Sequence, residues 1–129
     1  MIITYSSLKG GVSKTTSSIL TALILSKQYK TLMIDLDPQN SLTSFFISDY
    51  EQIQRDNIYN ALKGDIPFEK SIHQVNNNLD IIPSVLELEQ INIWNRVGKE
   101  LLLKKAIEKL DYKYVVIDTP PSLMTTAVL

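Results

Sequence analysis

The chain opens on a short apolar run, Ile2, Ile3 and Tyr5, that stops at Ser6 and Ser7 and passes through Gly10 and Gly11 into a helical pattern. A buried strand entering a glycine turn reads this way, because glycine tolerates backbone conformations that other residues resist. From Lys14 to about Ser26 the residues Ile19, Leu20, Leu23 and Ile24 recur at helical spacing without Gly or Pro, which predicts a helix directly after the glycines. A strand, a glycine turn and a helix in that order gather backbone N–H groups and the positive end of a helix dipole around one point. That point suits a phosphate. Gly10 and Gly11 let the main chain approach phosphate oxygens, Lys14 can bring an ammonium to the outer phosphates, and Thr15 offers a hydroxyl to Mg2+. The plainer alternative is an ordinary glycine-rich turn.

Downstream, Thr31 to Ile34 is a second compact apolar run that ends at Asp35 and Asp37 before Pro38, predicting a strand and then a polar loop. Asn40 to Phe46 and Asn57 to Leu62 read as two short helices, and Leu79 to Ile82 before Pro83 as a brief strand. Leu103, Ala106, Ile107 and Leu110 mark an amphipathic helix beginning near Arg96, and Tyr114 to Ile117 a further strand ending at Asp118. Helices alternating with apolar strands predict an α/β fold with a parallel sheet covered by helices on both faces. At 129 residues and 44% hydrophobic content, one modest core and a single domain over 1–129 are expected.

Aligned on Lys14 and Thr15, the standard phosphate-loop pattern requires glycine where this chain has Leu8 and Ser13. The segment that is present, Lys9-Gly10-Gly11-Val12-Ser13-Lys14-Thr15-Thr16, resembles the deviant P-loop of the ParA/MinD family of partition and positioning ATPases. Ile34-Asp35-Leu36-Asp37-Pro38-Gln39 resembles that family's segment after the second strand, and Val115 to Pro121 its Walker B strand. Asn78 to Ser84 favours the ParA type over the MinD type.

The resemblance implies a P-loop nucleoside triphosphatase fold that binds ATP through residues 9 to 16. Lys14 would be the catalytic lysine, Asp37 would position the attacking water, Thr15 would ligate Mg2+ and Asp118 would hold a magnesium-bound water. Lys9 would reach across an ATP-dependent homodimer to the partner's nucleotide. Hydrolysis would drive plasmid or chromosome partition in the cytoplasm together with a ParB-like centromere-binding protein. Taken singly, each aspartate has a plainer explanation, since acidic residues after strands commonly cap helices or solvate loops. Asp35 reads as structural.

Two departures qualify this expectation. Family members usually carry glycine where Ser13 stands, a strain if the position needs positive φ. They also continue past residue 129 through segments that contact adenine, complete the dimer and bind DNA nonspecifically. A chain ending at Leu129 is therefore expected to be an incomplete domain with an unpaired sheet edge. A truncated remnant that binds nucleotide or a full-length relative without hydrolysis stays open as an alternative, and so does a MinD-like positioning ATPase.

A formal net charge of -1 leaves no global footprint for gripping DNA or an anionic membrane, and no apolar run approaches the roughly 18 residues of a membrane span. With no cysteine, disulfides and thiolate-held metals are excluded. His73, the one histidine, lacks a partner at metal spacing and reads as structural, as does Trp94. Lys99, Lys104, Lys105 and Lys109, interspersed with Glu100 and Glu108, read as a solvated helix face.

Overall fold

The computed structural model describes residues 1–5, 12–90 and 96–120. Five strands, β1 (Ile2–Tyr5), β2 (Thr31–Asp35), β3 (His73–Asn76), β4 (Leu79–Ile82) and β5 (Tyr114–Asp118), form one sheet in the order β1-β5-β2-β4-β3. The β1–β5, β5–β2 and β2–β4 pairs are parallel, as expected of strands separated by helices. Only β3 departs: it pairs antiparallel with β4 across an Asn76-Asn77-Asn78 turn, where the Asn78 N–H donates to Asn76 Oδ1 at 3.0 Å. The expected parallel sheet thus carries one antiparallel strand at this edge, in a stretch whose polar residues read as connecting chain.

Among the described residues four α-helices, α1 (Val12–Leu25), α2 (Ser41–Phe46), α3 (Ile58–Lys63) and α4 (Arg96–Lys109), accompany the sheet, with short 3-10 helices at Tyr50–Ile53, Phe68–Ser71 and Leu86–Leu88. Helix α3 is bounded by two well-defined caps. Asn57 accepts from the Asn60 N–H at its start, and Gly64, at φ 85°, ends it in the left-handed conformation that glycine adopts without a Cβ penalty.

Side chains on a strand alternate between faces, so each buried strand feeds two cores. Leu32 and Ile34 of β2, Ile82 of β4, and Val115 and Ile117 of β5 pack with Ile58 and Leu62 of α3 and Leu103 and Ile107 of α4. Met33, Leu79, Ile81 and Val116 pack on the other face with Ile19 and Ala22 of α1 and Leu42 of α2. Helices cover both faces, as expected. No helix among the described residues is long and apolar enough to cross a membrane.

Candidate functional site

Strand register brings the chemistry together. Tyr5 and Asp35 both stand level with Asp118 in the ladder, so the carboxyl ends of β1, β5 and β2 finish side by side. Backbone bonds extend this alignment past the strand ends, from Leu36 N–H to the Asp118 carbonyl at 2.8 Å and from Thr119 N–H to the Tyr5 carbonyl at 3.1 Å. Ligands in open α/β sheets sit beyond such ends. Helix α1 starts against them, and its first turns supply Lys14, Thr15 and Ser18.

Lys14 is buried between two carboxylates, its Nζ 3.6 Å from Asp37 Oδ2 and 3.5 Å from Asp118 Oδ1, and it also donates to the Thr119 carbonyl. Asp118 is fully buried, with Oδ2 accepting from Thr15 Oγ1 at 3.1 Å and Oδ1 from Ser18 Oγ at 3.0 Å. Burial pushes its carboxyl above the usual range, while Lys14, Ser18 and Thr15 hold it down in part. Asp37 is held by its own loop, its Oδ1 accepting from the Gln39 N–H at 3.0 Å.

Asp35 is also fully buried, and it accepts three donors: the Asp37 N–H at 3.0 Å, the Thr43 N–H at 2.9 Å and Thr43 Oγ1 at 2.7 Å. Desolvation outweighs those bonds and raises its carboxyl to about 7. A structural part for Asp35 matches this arrangement, since both of its oxygens serve protein donors.

The expected residues fare differently. Lys14, Thr15, Asp37 and Asp118 do converge, whereas Thr16 is exposed. Val12 and Ser13 lie in the first turn of α1, so Ser13 has helical backbone and the strain considered for it does not arise. Lys9, Gly10 and Gly11 lie outside the described residues, as does Trp94. His73 Nε2 lies 2.7 Å from the Asp56 carbonyl, in keeping with a structural role. Lys99 is a correction to the solvated-face reading, because its ammonium donates to the Leu62 carbonyl at 2.9 Å and so ties α4 to α3. Ser18 was missed, although it lies four residues after Lys14 and three after Thr15, the spacing of one helix face.

The donor set fits a magnesium nucleotide. Thr15 and Asp118 offer hard oxygen donors beside the Lys14 ammonium. No group of three or more His, Cys, Asp or Glu side chains poised for a metal occurs among the described residues. A hydroxyl, a carboxylate and the ligand's own phosphates are what Mg2+ takes, rather than an all-protein cage.

A family model described as an AAA domain (AAA_31) matches residues 1–129. The chromosome partitioning protein ParA of Myxococcus xanthus is 36% identical over 132 residues, covering 95% of this chain and 45% of that protein. A plasmid partition protein from Borrelia burgdorferi superposes with a TM-score of 0.86 at 44% identity, over 95% of this chain and 57% of that one. A further plasmid partition structure from Borrelia burgdorferi, bound to AMPPNP, gives a TM-score of 0.84 at 44% identity, over 95% of this chain and 54% of that one. The chain spans about half the length of the relatives it matches. Matched along its length by that model, and sharing its fold with plasmid partition proteins, this chain belongs to the AAA domain family of ParA-type P-loop proteins.

Proposed function

We propose that this chain is a nucleotide-binding unit of a ParA-like partition ATPase, taking Mg-ATP where α1 meets the ends of β2 and β5. The observation that carries this reading is the buried cluster of Lys14, Asp37 and Asp118 with the Thr15 hydroxyl beside it. Lys14 supplies positive charge to the outer phosphates, and the N-terminal end of α1 adds its dipole. Thr15 and Asp118 hold the magnesium side of the nucleotide; the ion, when bound, neutralises phosphate charge. Asp37 orients a water for in-line attack on the γ-phosphate. Residues 9 to 13 cradle the phosphates from the main chain. In the assembled protein Lys9 reaches the nucleotide of a second copy, and the cycle of binding, dimerisation and hydrolysis positions DNA with a ParB-like partner.

Equilibrium binding and turnover of ATP test this, with Lys14→Ala and Asp37→Ala beside the wild type. Lys14→Ala is expected to weaken Mg-ATP binding by about tenfold or more through loss of charge-assisted contacts. Asp37→Ala is expected to bind normally and lose about a hundredfold or more in turnover. Equal binding by wild type and Lys14→Ala would sink the nucleotide reading. Binding without turnover by the wild type would instead support nucleotide binding alone.

A further inference from the structure

Behind the site lies a closed ring of four buried residues. Asp35 Oδ2 accepts from Thr43 Oγ1 at 2.7 Å, and that hydroxyl oxygen accepts from the Ser84 N–H at 2.9 Å. Ser84 Oγ donates to the Asp37 carbonyl at 2.7 Å, and the Asp37 N–H returns to Asp35 Oδ1 at 3.0 Å. Asp35, Thr43 and Ser84 are 0% exposed and Asp37 is 7% exposed. The members come from the end of β2, the loop after it, α2 and the residues following β4, so one ring joins four segments. Both backbone polar groups of Asp37 are held, the carbonyl a second time by the Asn40 N–H at 2.8 Å.

A loop that needed only to turn would be satisfied by the Gln39 bond to the Asp37 side chain. Burying a carboxylate carries a large desolvation cost, and a partly satisfied buried network is worse than none. Three of the ring's four connections run through Thr43 or Asp35, and the fourth joins Ser84 to the Asp37 carbonyl. Opening it at Thr43 frees the Ser84 N–H and takes one donor from Asp35, while the Asp37 side chain keeps its direct contacts. The ring bears on where the Asp37 backbone stands, not on what its carboxylate touches.

We propose that Asp35, Thr43 and Ser84 are positioning residues that fix the Asp37 backbone, and through it the aim of the Asp37 carboxylate. This rests on the reading of Asp37 as the water-orienting residue of an ATPase. A geometry error of about 1 Å in a reacting group costs on the order of a hundredfold in rate, so a rigid mount for Asp37 serves turnover more than binding.

The test uses the 129-residue chain with Thr43→Val, which keeps the shape and removes the hydroxyl, Thr43→Ser, which keeps the hydroxyl, and Ser84→Ala as a second way to open the ring. Amide exchange in nucleotide-free protein is expected to speed up about tenfold at Asp37 and Ser84 in Thr43→Val, the equivalent of one lost buried hydrogen bond. Met33, Ile34 and Val116 should stay unchanged, and Thr43→Ser should restore the wild-type pattern. In turnover, kcat is expected to fall about tenfold with KM nearly unchanged, again rescued by Thr43→Ser. Ser84→Ala, which removes the bond to the Asp37 carbonyl, should reproduce the faster exchange at Asp37 and the fall in kcat if Thr43→Val folds poorly. Unchanged exchange at Asp37 in both ring-opening variants, failure of the serine rescue, or kcat and KM shifting together would each overturn the proposal. Equal ATP binding by wild type and Lys14→Ala overturns the ATPase reading instead, and the exchange data separate the two failures.

Discussion

Replacing Lys14 removes the cation that stands between two buried carboxylates, so a variant made to weaken nucleotide binding carries its own folding cost. Lys14 Nζ lies 3.5 Å from Asp118 Oδ1 and 3.6 Å from Asp37 Oδ2, and Asp118 is fully buried. Removing one partner of a buried pair costs about 3–5 kcal/mol because the other charge is left uncompensated. Asp37 keeps a little solvent contact, which places the expected loss for Lys14→Met near the low end, about 3 kcal/mol. For a chain of this size that is a fall in Tm of about 12 °C. Methionine keeps the aliphatic stem, so the loss reports charge rather than packing. The pH dependence has a definite sign. The Asp118 carboxyl already titrates above its ordinary value in the folded state, and without the ammonium it rises further. The folded variant then holds a proton that the unfolded chain has released, and stability drains away as pH rises through that window. The deficit relative to wild type should therefore be larger at pH 8 than at pH 5. Urea denaturation in magnesium-free buffer measures it. The double variant Lys14→Met with Asp118→Asn should recover part of the loss, since a buried pair removed together costs less than one broken. A Lys14→Met deficit under about 1 kcal/mol at pH 8, or no recovery in the double variant, would refute the reasoning.

Two further outcomes follow from the same geometry. The Asp35 carboxyl, raised to about 7 by burial, keeps its proton in the folded state between about pH 4 and pH 7 while the unfolded chain loses it. Its contribution to stability therefore falls by about 4 kcal/mol as pH rises across that window, so urea denaturation should show wild type losing ground to Asp35→Asn with rising pH, and a flat difference would contradict this. Gly64 sits at φ 85° with nothing within 4 Å of an added Cβ, so Gly64→Ala should cost only the left-handed backbone penalty, about 1–2 kcal/mol by thermal denaturation, with Gly64→Asn costing less.

The parts legible in the sequence share a cause: each rests on short-range pattern. The apolar runs of β2 and β5 are buried strands, and such strands announce themselves in composition, whereas β1, expected to be buried, is only half-buried at the sheet edge. The aspartates after them were legible because ligands lie at strand ends. His73–Asn76 was not, because its burial alternates between half-buried and exposed and an edge strand needs no apolar run. Spacing also overstated α1. Leu20 and Ile24 share the helical period of Ile19 and Leu23, yet they are 53% and 63% exposed, an apolar stripe wider than the sheet covers. Thr43 and Ser84 carried no signal at all. Hydroxyl residues in a short helix and after a strand are ordinary, and only contact across 41 residues of chain makes them a unit.

Core and site are set by one register. Asp35 lies two residues after Met33 and Asp118 two after Val116, so the parity that turns Met33 and Val116 toward α1 and α2 turns both carboxylates the same way. There they meet Thr43 on one helix and Lys14, Thr15 and Ser18 on the other. A slip of one residue in β2 would send Met33 and Asp35, and a slip in β5 would send Val116 and Asp118, to the face packed by α3 and α4. Apolar and charged residues would then both be misplaced, and the carboxylates would be buried without their donors. Burial of the two aspartates is therefore a consequence of placing them where the helix N-terminus can answer them, and their raised titration is the measurable sign of that placement.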